Sequence, residues 1–191
     1  RVTGRAQSNL STQAPIVGRR EERDLFAGCV ATLETQCNGA AICLRGEPGI
    51  GKTRLADEVA AQARQRGMRC LHARCYEREQ IPYKALDAVV DQAISYVIST
   101  GEGDLLLSGI EPDALAALAR LFPFAAELTL ADGQKVSDLV AAADTPLRKE
   151  AAFETLTRLL AAVAGTSGIL LVLDDLQWAD AGSVDLAEVL L

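Results

Sequence analysis

Between residues 40 and 75 the spacing of apolar positions changes twice. Ala40 to Arg45 (AAICLR) is an unbroken, mostly apolar run that stops at Gly46, the pattern of a buried strand. Lys52 to Arg66 instead puts Leu55, Val59 and small alanines on one face. Arg64 and Arg66 lie near its end and Gly67 just beyond, which predicts a helix with a glycine stop. Met68 to Cys75 (MRCLHARC) returns to a strand pattern. Strand, loop, helix, strand spells a βαβ unit.

The flanking text follows the same logic. Residues 1–14 are polar and aperiodic, a linker pattern, whereas Leu25, Phe26, Cys29, Val30 and Leu33 recur at helical spacing in the charged segment that follows Pro15. Beyond residue 80 the chain is alanine-rich and helical. Pro82 suits the first turn of a helix to about Ile98 that buries Leu86, Val89, Val90, Ala93, Ile94 and Val97. Pro112 opens another helix, which Pro123 ends. Thr145 and Pro146 have the residue types of an N-cap and first helical position for a helix to about Ala164, closed by Gly165. Ile169 to Leu173 is then a continuous apolar strand that ends in Asp174 and Asp175.

Composition narrows the class of protein. A chain of 191 residues with 49% hydrophobic and 24% charged residues can bury a sizeable core, which excludes wholesale disorder and a collagen-like chain. No apolar run reaches the ~18 residues of a membrane-spanning helix. The net charge of −7 argues against a protein built to coat nucleic acid. That charge is uneven: residues 1–80 hold 13 basic and 9 acidic groups, residues 81–191 hold 6 and 17. A positive N-terminal part suits a small phosphate ligand, and equally describes two differently solvated surfaces. The five cysteines include Cys70 and Cys75 flanking His72, but no second pair completes a zinc set, so they read as free thiols of a reducing cytoplasm. The chain opens at Arg1 without Met or a signal-peptide core, as a piece of a longer protein would.

Gly46-Glu47-Pro48-Gly49-Ile50-Gly51-Lys52-Thr53 fits G-x-x-x-x-G-K-[ST] and sits between a predicted strand and a predicted helix. Glycines let successive amides point inward at phosphate oxygens without Cβ atoms in the way, and the helix adds its positive N-terminus. Lys52 is placed to reach the β- and γ-phosphates of a nucleotide, and the Thr53 hydroxyl to hold Mg²⁺. Such a site needs an acid opposite the loop, and Asp174, at the end of an apolar strand, supplies it, holding Mg²⁺ either directly or through the metal's water. Asp175 is placed to orient or deprotonate an attacking water. Lys52 and Asp174 are 122 positions apart, whereas two crossovers of ~30 residues each take ~60. The excess falls in the helical text of about 81–145, an expected insertion.

With both elements in hand, residues 16–191 resemble the STAND branch of P-loop ATPases, specifically the bacterial origin-recognition-complex-like AAA ATPase module. The marks are VGRREERDLF (Val17 to Phe26), GEPGIGKTRL (Gly46 to Leu55, Walker A) and LVLDDLQWAD (Leu171 to Asp180, Walker B). The resemblance implies an α/β fold, a P-loop NTPase built as a three-layer sandwich with a parallel sheet and a helical insertion. It also implies ATP and Mg²⁺ as ligands and an adenine pocket lined by Val17, Gly18 and Arg19, although Arg19 and Arg20 also read as a solvated charge run. The expected cofactor-binding set is thus Val17, Gly18 and Arg19 with Gly46, Glu47, Pro48, Gly49, Ile50, Gly51, Lys52, Thr53 and Arg54. Thr53 and Asp174 are the metal ligands, and Lys52 and Asp175 the catalytic pair.

RCYEREQIPYKALDAVVDQ (Arg74 to Gln92) is similar to the insert found where such modules follow a serine/threonine kinase domain. Related modules adjoin a LuxR-type DNA-binding domain or an adenylate cyclase. The expected function is therefore an ATP-binding, ATP-hydrolysing regulatory module of a multidomain cytoplasmic signalling protein. Its expected partners are effector domains on the same chain, with nucleotide-dependent self-association and without direct nucleic-acid or membrane contact. Two alternatives stay open: a P-loop phosphotransferase acting on a small molecule, and a nucleotide-binding module without hydrolysis. Gln177 stands where the family often has His. The family's next strand with its polar sensor, any arginine finger and the helical lid do not appear before Leu191, so residues 15–191 read as a partial domain, truncated after the second acidic motif.

Overall fold

The computed structural model describes residues 18–36, 39–77, 82–143 and 146–190. The expected linker at 1–14, Val17 and Thr145 lie outside the described residues. The chain divides into a unit of residues 1–42 and a unit of residues 43–191. In the first, helix α1 (Arg20–Gln36) carries Glu21 and Glu22 in its first turn, where the helix dipole favours negative charge. Phe26 and Val30, one turn apart, are buried, whereas Leu25 is exposed.

The second unit opens on the phosphate-loop segment and α2 (Lys52–Gln65). That helix ends as its sequence predicts: the Met68 amide donates to the Ala63 carbonyl (3.0 Å) and the Gly67 amide to that of Arg64 (2.9 Å), a glycine-terminated Schellman closure. Strand β1 (Arg69–Arg74) follows. Then come α3 (Lys84–Thr100), α4 (Gly103–Leu106), α5 (Pro112–Leu121), a 3₁₀ segment at Pro123–Glu127, α6 (Val136–Ala142) and α7 (Lys149–Ala164). Strand β2 (Ile169–Asp174), a 3₁₀ turn at Leu176–Trp178 and α8 (Ala181–Val189) complete it.

β1 and β2 pair in parallel, with Arg69 opposite Ile169 and Arg74 opposite Asp174. Alternation then sorts their side chains. Leu71, Ala73, Ile169, Leu171 and Leu173 join the hydrophobic core. Cys70 points the other way, its thiol donating to the Ala60 carbonyl of α2 (3.4 Å), so α2 covers the opposite face. The outer edge of β1 is closed by Gln92 of α3, whose side-chain amide accepts from the His72 N–H (3.1 Å) and donates to the His72 carbonyl (2.7 Å). The core packs all six residues expected on the buried face of α3 against Leu115 and Leu118 of α5, Phe122, and Leu156, Leu159 and Val163 of α7. Full burial of each such side chain stabilises the fold by about 1.5–3 kcal/mol.

Four expectations need correction, the first being that Pro82 precedes α3, whose N-cap is Tyr83, instead of lying in its first turn. Ala40 to Arg45 forms no strand; it is exposed, with Ile42 and Leu44 uncovered. A strand exists through its ladder, and among the described residues the sheet contains β1 and β2 alone. For the same reason β2 is half-buried along its length instead of fully enclosed, since β1 flanks one side of it. The helix expected to start at Pro146 begins at Lys149, because Arg148 (φ −100°, ψ 99°) is still extended.

Candidate functional site

Gly49 and Gly51 sit in the left-handed region (φ 81° and 94°), and Gly51 is the N-cap of α2. A residue with a Cβ would be strained there, which is why this turn requires glycine. The turn is closed by the Ile50 amide donating to the Glu47 carbonyl (3.4 Å), and α2 starts with the Leu55 amide donating to the Gly51 carbonyl (3.0 Å). No acidic residue occupies the first turn of α2, so its positive end is not locally neutralised.

Lys52 folds back over the loop. Its ammonium donates to the carbonyls of Gly46 (2.9 Å) and Glu47 (3.1 Å), which places the cation above the loop itself. Next to it the Thr53 hydroxyl donates to Asp174 Oδ2 at 2.9 Å, across 121 positions of sequence. Asp174 Oδ1 accepts from the Asp175 amide (3.0 Å), which fixes the carboxylate's orientation. The loop, the start of α2 and the end of β2 therefore meet at one point. Glu47 and Pro48 lie in the exposed loop, Ile50 stands exposed at its tip, and Arg54 is exposed on the first turn of α2.

Asp175 adopts a left-handed conformation (φ 56°, ψ 39°) as the N-cap of the 3₁₀ turn that follows β2. Arg74, the last residue of β1, donates to Asp175 Oδ2 through both Nε (3.0 Å) and Nη2 (2.9 Å). Gln177 Nε2 donates to the other oxygen (3.2 Å). The Arg74 hydrogen bond first, then that of Gln177, holds the Asp175 carboxyl below the usual carboxylate range. Sequence reading missed Arg74 as a site residue. Its role arises from the parallel register that sets it opposite Asp174, and only the shared strand-end position could have signalled it.

A donor set of one carboxylate and one hydroxyl suits Mg²⁺, which takes few protein ligands and fills its shell with water and phosphate oxygens. Thr53 and Asp174 fit that role by chemistry and by proximity. Gly18 (φ 85°) and Arg19 belong to the 1–42 unit, where the Arg19 guanidinium pairs with Glu22 at 3.2 Å. No described helix is long and apolar enough to cross a membrane.

A glycine-cornered loop at a helix N-terminus, with its lysine over the loop and its threonine bonded to a strand-end aspartate, has the layout that a phosphate site requires. The chain belongs to the AAA ATPase domain family, whose family model matches residues 15–191. No curated protein and no solved structure gives a significant match.

Proposed function

We propose that this chain is the ATP-binding and ATP-hydrolysing regulatory module of a larger signalling protein. The observation that carries the nucleotide reading is the Thr53–Asp174 hydrogen bond at 2.9 Å, which unites the two halves of a Mg²⁺–phosphate site. Lys52 exchanges the Gly46 and Glu47 carbonyls for β- and γ-phosphate oxygens, and the loop amides take up the remaining charge. Thr53 and Asp174 would hold Mg²⁺, which when bound would neutralise charge on the nucleotide's phosphates. Asp175 orients a water in line with the γ-phosphorus and takes its proton; the water oxygen bonds to phosphorus as the bond from phosphorus to the β–γ bridging oxygen breaks, and ADP leaves with phosphate as the second product. Arg74 aims Asp175 and extends its ionised range to lower pH.

Val17, Gly18 and Arg19 take the adenine in this reading, on the strength of their likeness to the family's first segment. The likeness of Arg74 to Gln92 to the insert of kinase-linked modules, and the settings of related modules, support an effector on the same chain, of kinase, cyclase or LuxR-type DNA-binding class, acting in the cytoplasm. Phosphate release tests the activity. Wild-type protein should release phosphate from ATP with Mg²⁺ present, and Asp175→Asn should bind ATP normally while turning over slowly; equal rates would remove Asp175 from the mechanism. The adjoining reading frame tests the context, since a frame without an effector domain would defeat the signalling reading.

A further inference from the structure

Helix α3 has Asp87 in its first turn but no capping side chain of its own. Its N-cap, Tyr83, lies in the left-handed region (φ 65°) and makes no side-chain capping bond. Two amides at its start, those of Tyr83 and Ala85, are satisfied from about a hundred residues downstream, while the Leu86 amide donates to the Tyr83 carbonyl (3.0 Å). Asp180 Oδ1 accepts from the Tyr83 amide (3.0 Å) and from the Ser183 amide (2.9 Å), while Oδ2 accepts from the Ser183 hydroxyl. Ser183 Oγ accepts in turn from the Ala85 amide (3.2 Å). One carboxylate and one buried hydroxyl thus cap α8 and α3 together.

The packing around this junction is tight. The Tyr83 ring meets Phe153 of α7 edge-on at 5.5 Å and Phe122 at 6.1 Å. Gly182 is required there, because a Cβ would come within 2.9 Å of Tyr83 Cε1. Burial pushes the Asp180 carboxyl up, but the Ser183 and Tyr83 hydrogen bonds together outweigh it and bring it below the usual carboxylate range.

Asp180 is also the far end of the turn that starts at Asp175. Between them the Trp178 amide donates to the Asp175 carbonyl and the Ala179 amide to that of Leu176, both at 3.0 Å. The near end of this turn carries the carboxylate held by Arg74, and Gln177, which holds the same carboxylate, lies within it. We propose that Asp180 is a positioning residue for ATP hydrolysis: by clamping the Tyr83 amide and the Ser183 hydroxyl that caps Ala85, it pins the 175–180 turn to the start of α3 and so fixes the aim of Asp175. The catalytic half rests on the hydrolysis reading above. The clamp makes the placement of the water-orienting carboxylate depend on the helix that opens the alanine-rich region.

Amide hydrogen exchange, ATP titration and phosphate release on the full chain test this together. Asp180→Ala should speed exchange at Trp178 and Ala179 at least tenfold and slow phosphate release about tenfold, with ATP affinity within twofold of wild type. Asp180→Asn keeps an acceptor for the Tyr83 amide and should recover turnover to within about threefold, and an Asp180→Ala protein whose exchange rises in the turn but not in the α7 core excludes a general loss of stability. Unchanged exchange in the turn, or faster exchange with undiminished turnover, overturns the proposal. Should Asp180→Ala not fold, Gly182→Ala, which presses on the Tyr83 ring, decides by the same two readings. A wild-type protein that binds ATP but releases no phosphate refutes hydrolysis itself, separately from the exchange result, which by itself decides whether Asp180 fixes the turn.

Discussion

Leu156 on α7 and Lys52 on α2 belong to the same folded unit and answer to opposite constraints. Leu156 is fully buried among the side chains of the helical core, with its neighbours Leu159 and Val163 equally enclosed. Lys52 holds two carbonyls of an exposed loop that is closed by one long hydrogen bond and borders an uncovered apolar run. Free energy of folding is concentrated in the first region, while the second keeps polar groups ready for a ligand that brings its own charge. Binding residues on exposed loops held by a rigid scaffold follow this division. Mutations should therefore separate cleanly, with loop changes silencing nucleotide binding in a folded protein and core changes unfolding a protein whose folded fraction still binds.

The sharpest break comes from Lys52→Ala, which should weaken ATP binding about 10³-fold, the scale of losing one partner of a desolvated charge pair. Thermal melting without nucleotide should stay within a degree or two of wild type; a large fall would mean that the ammonium's bonds to the loop support the fold. Leu156→Ala should do the reverse and cost about 2–5 kcal/mol in chemical denaturation, with ATP affinity unchanged in the folded protein. If affinity fell in step with stability, core and loop would be one cooperative object.

Within the rim, Asp175→Asn should slow phosphate release about 10²-fold, the usual scale for a group that handles the proton of a nucleophile. The smallest effect belongs to Arg74→Gln. Asp175 has a depressed carboxyl pKa in the folded protein, so its stabilising interaction is present above the unfolded value and is lost as pH falls through the lower folded one. Removing Arg74 takes away the main cause, and the acid limb of the turnover profile should move to higher pH. An unmoved limb would show that Arg74 does not hold Asp175 ionised.

The parts legible in the sequence are those where local backbone and chemistry demand particular residues at fixed spacing. Gly51 must turn into a helix with positive φ, Lys52 and Thr53 must follow at once, and Leu86 to Val97 repeat at a helical period because one face is buried. The invisible parts are made by partners far away in sequence. Ala40 to Arg45 has the composition of a strand, yet ladder bonds make a strand and composition cannot supply them. Arg74 reads as one more surface charge until the register places it across from Asp174. Tyr83, Asp180 and Ser183 look unrelated, 97 positions separating the first two, and only the fold shows that they share hydrogen bonds. Gln177 proves to donate to Asp175 at 3.2 Å, a bond its sequence position alone does not reveal.

The arrangement of Lys52, Thr53 and Asp174 is tested most directly by titrating ATP into the wild type, Lys52→Ala and Asp174→Asn proteins with and without Mg²⁺. Wild-type binding should tighten with Mg²⁺, the Asp174→Asn protein should lose that dependence, and the Lys52→Ala protein should not bind in the same range. Equal ATP affinity across the three folded proteins, indifferent to Mg²⁺, would contradict the account.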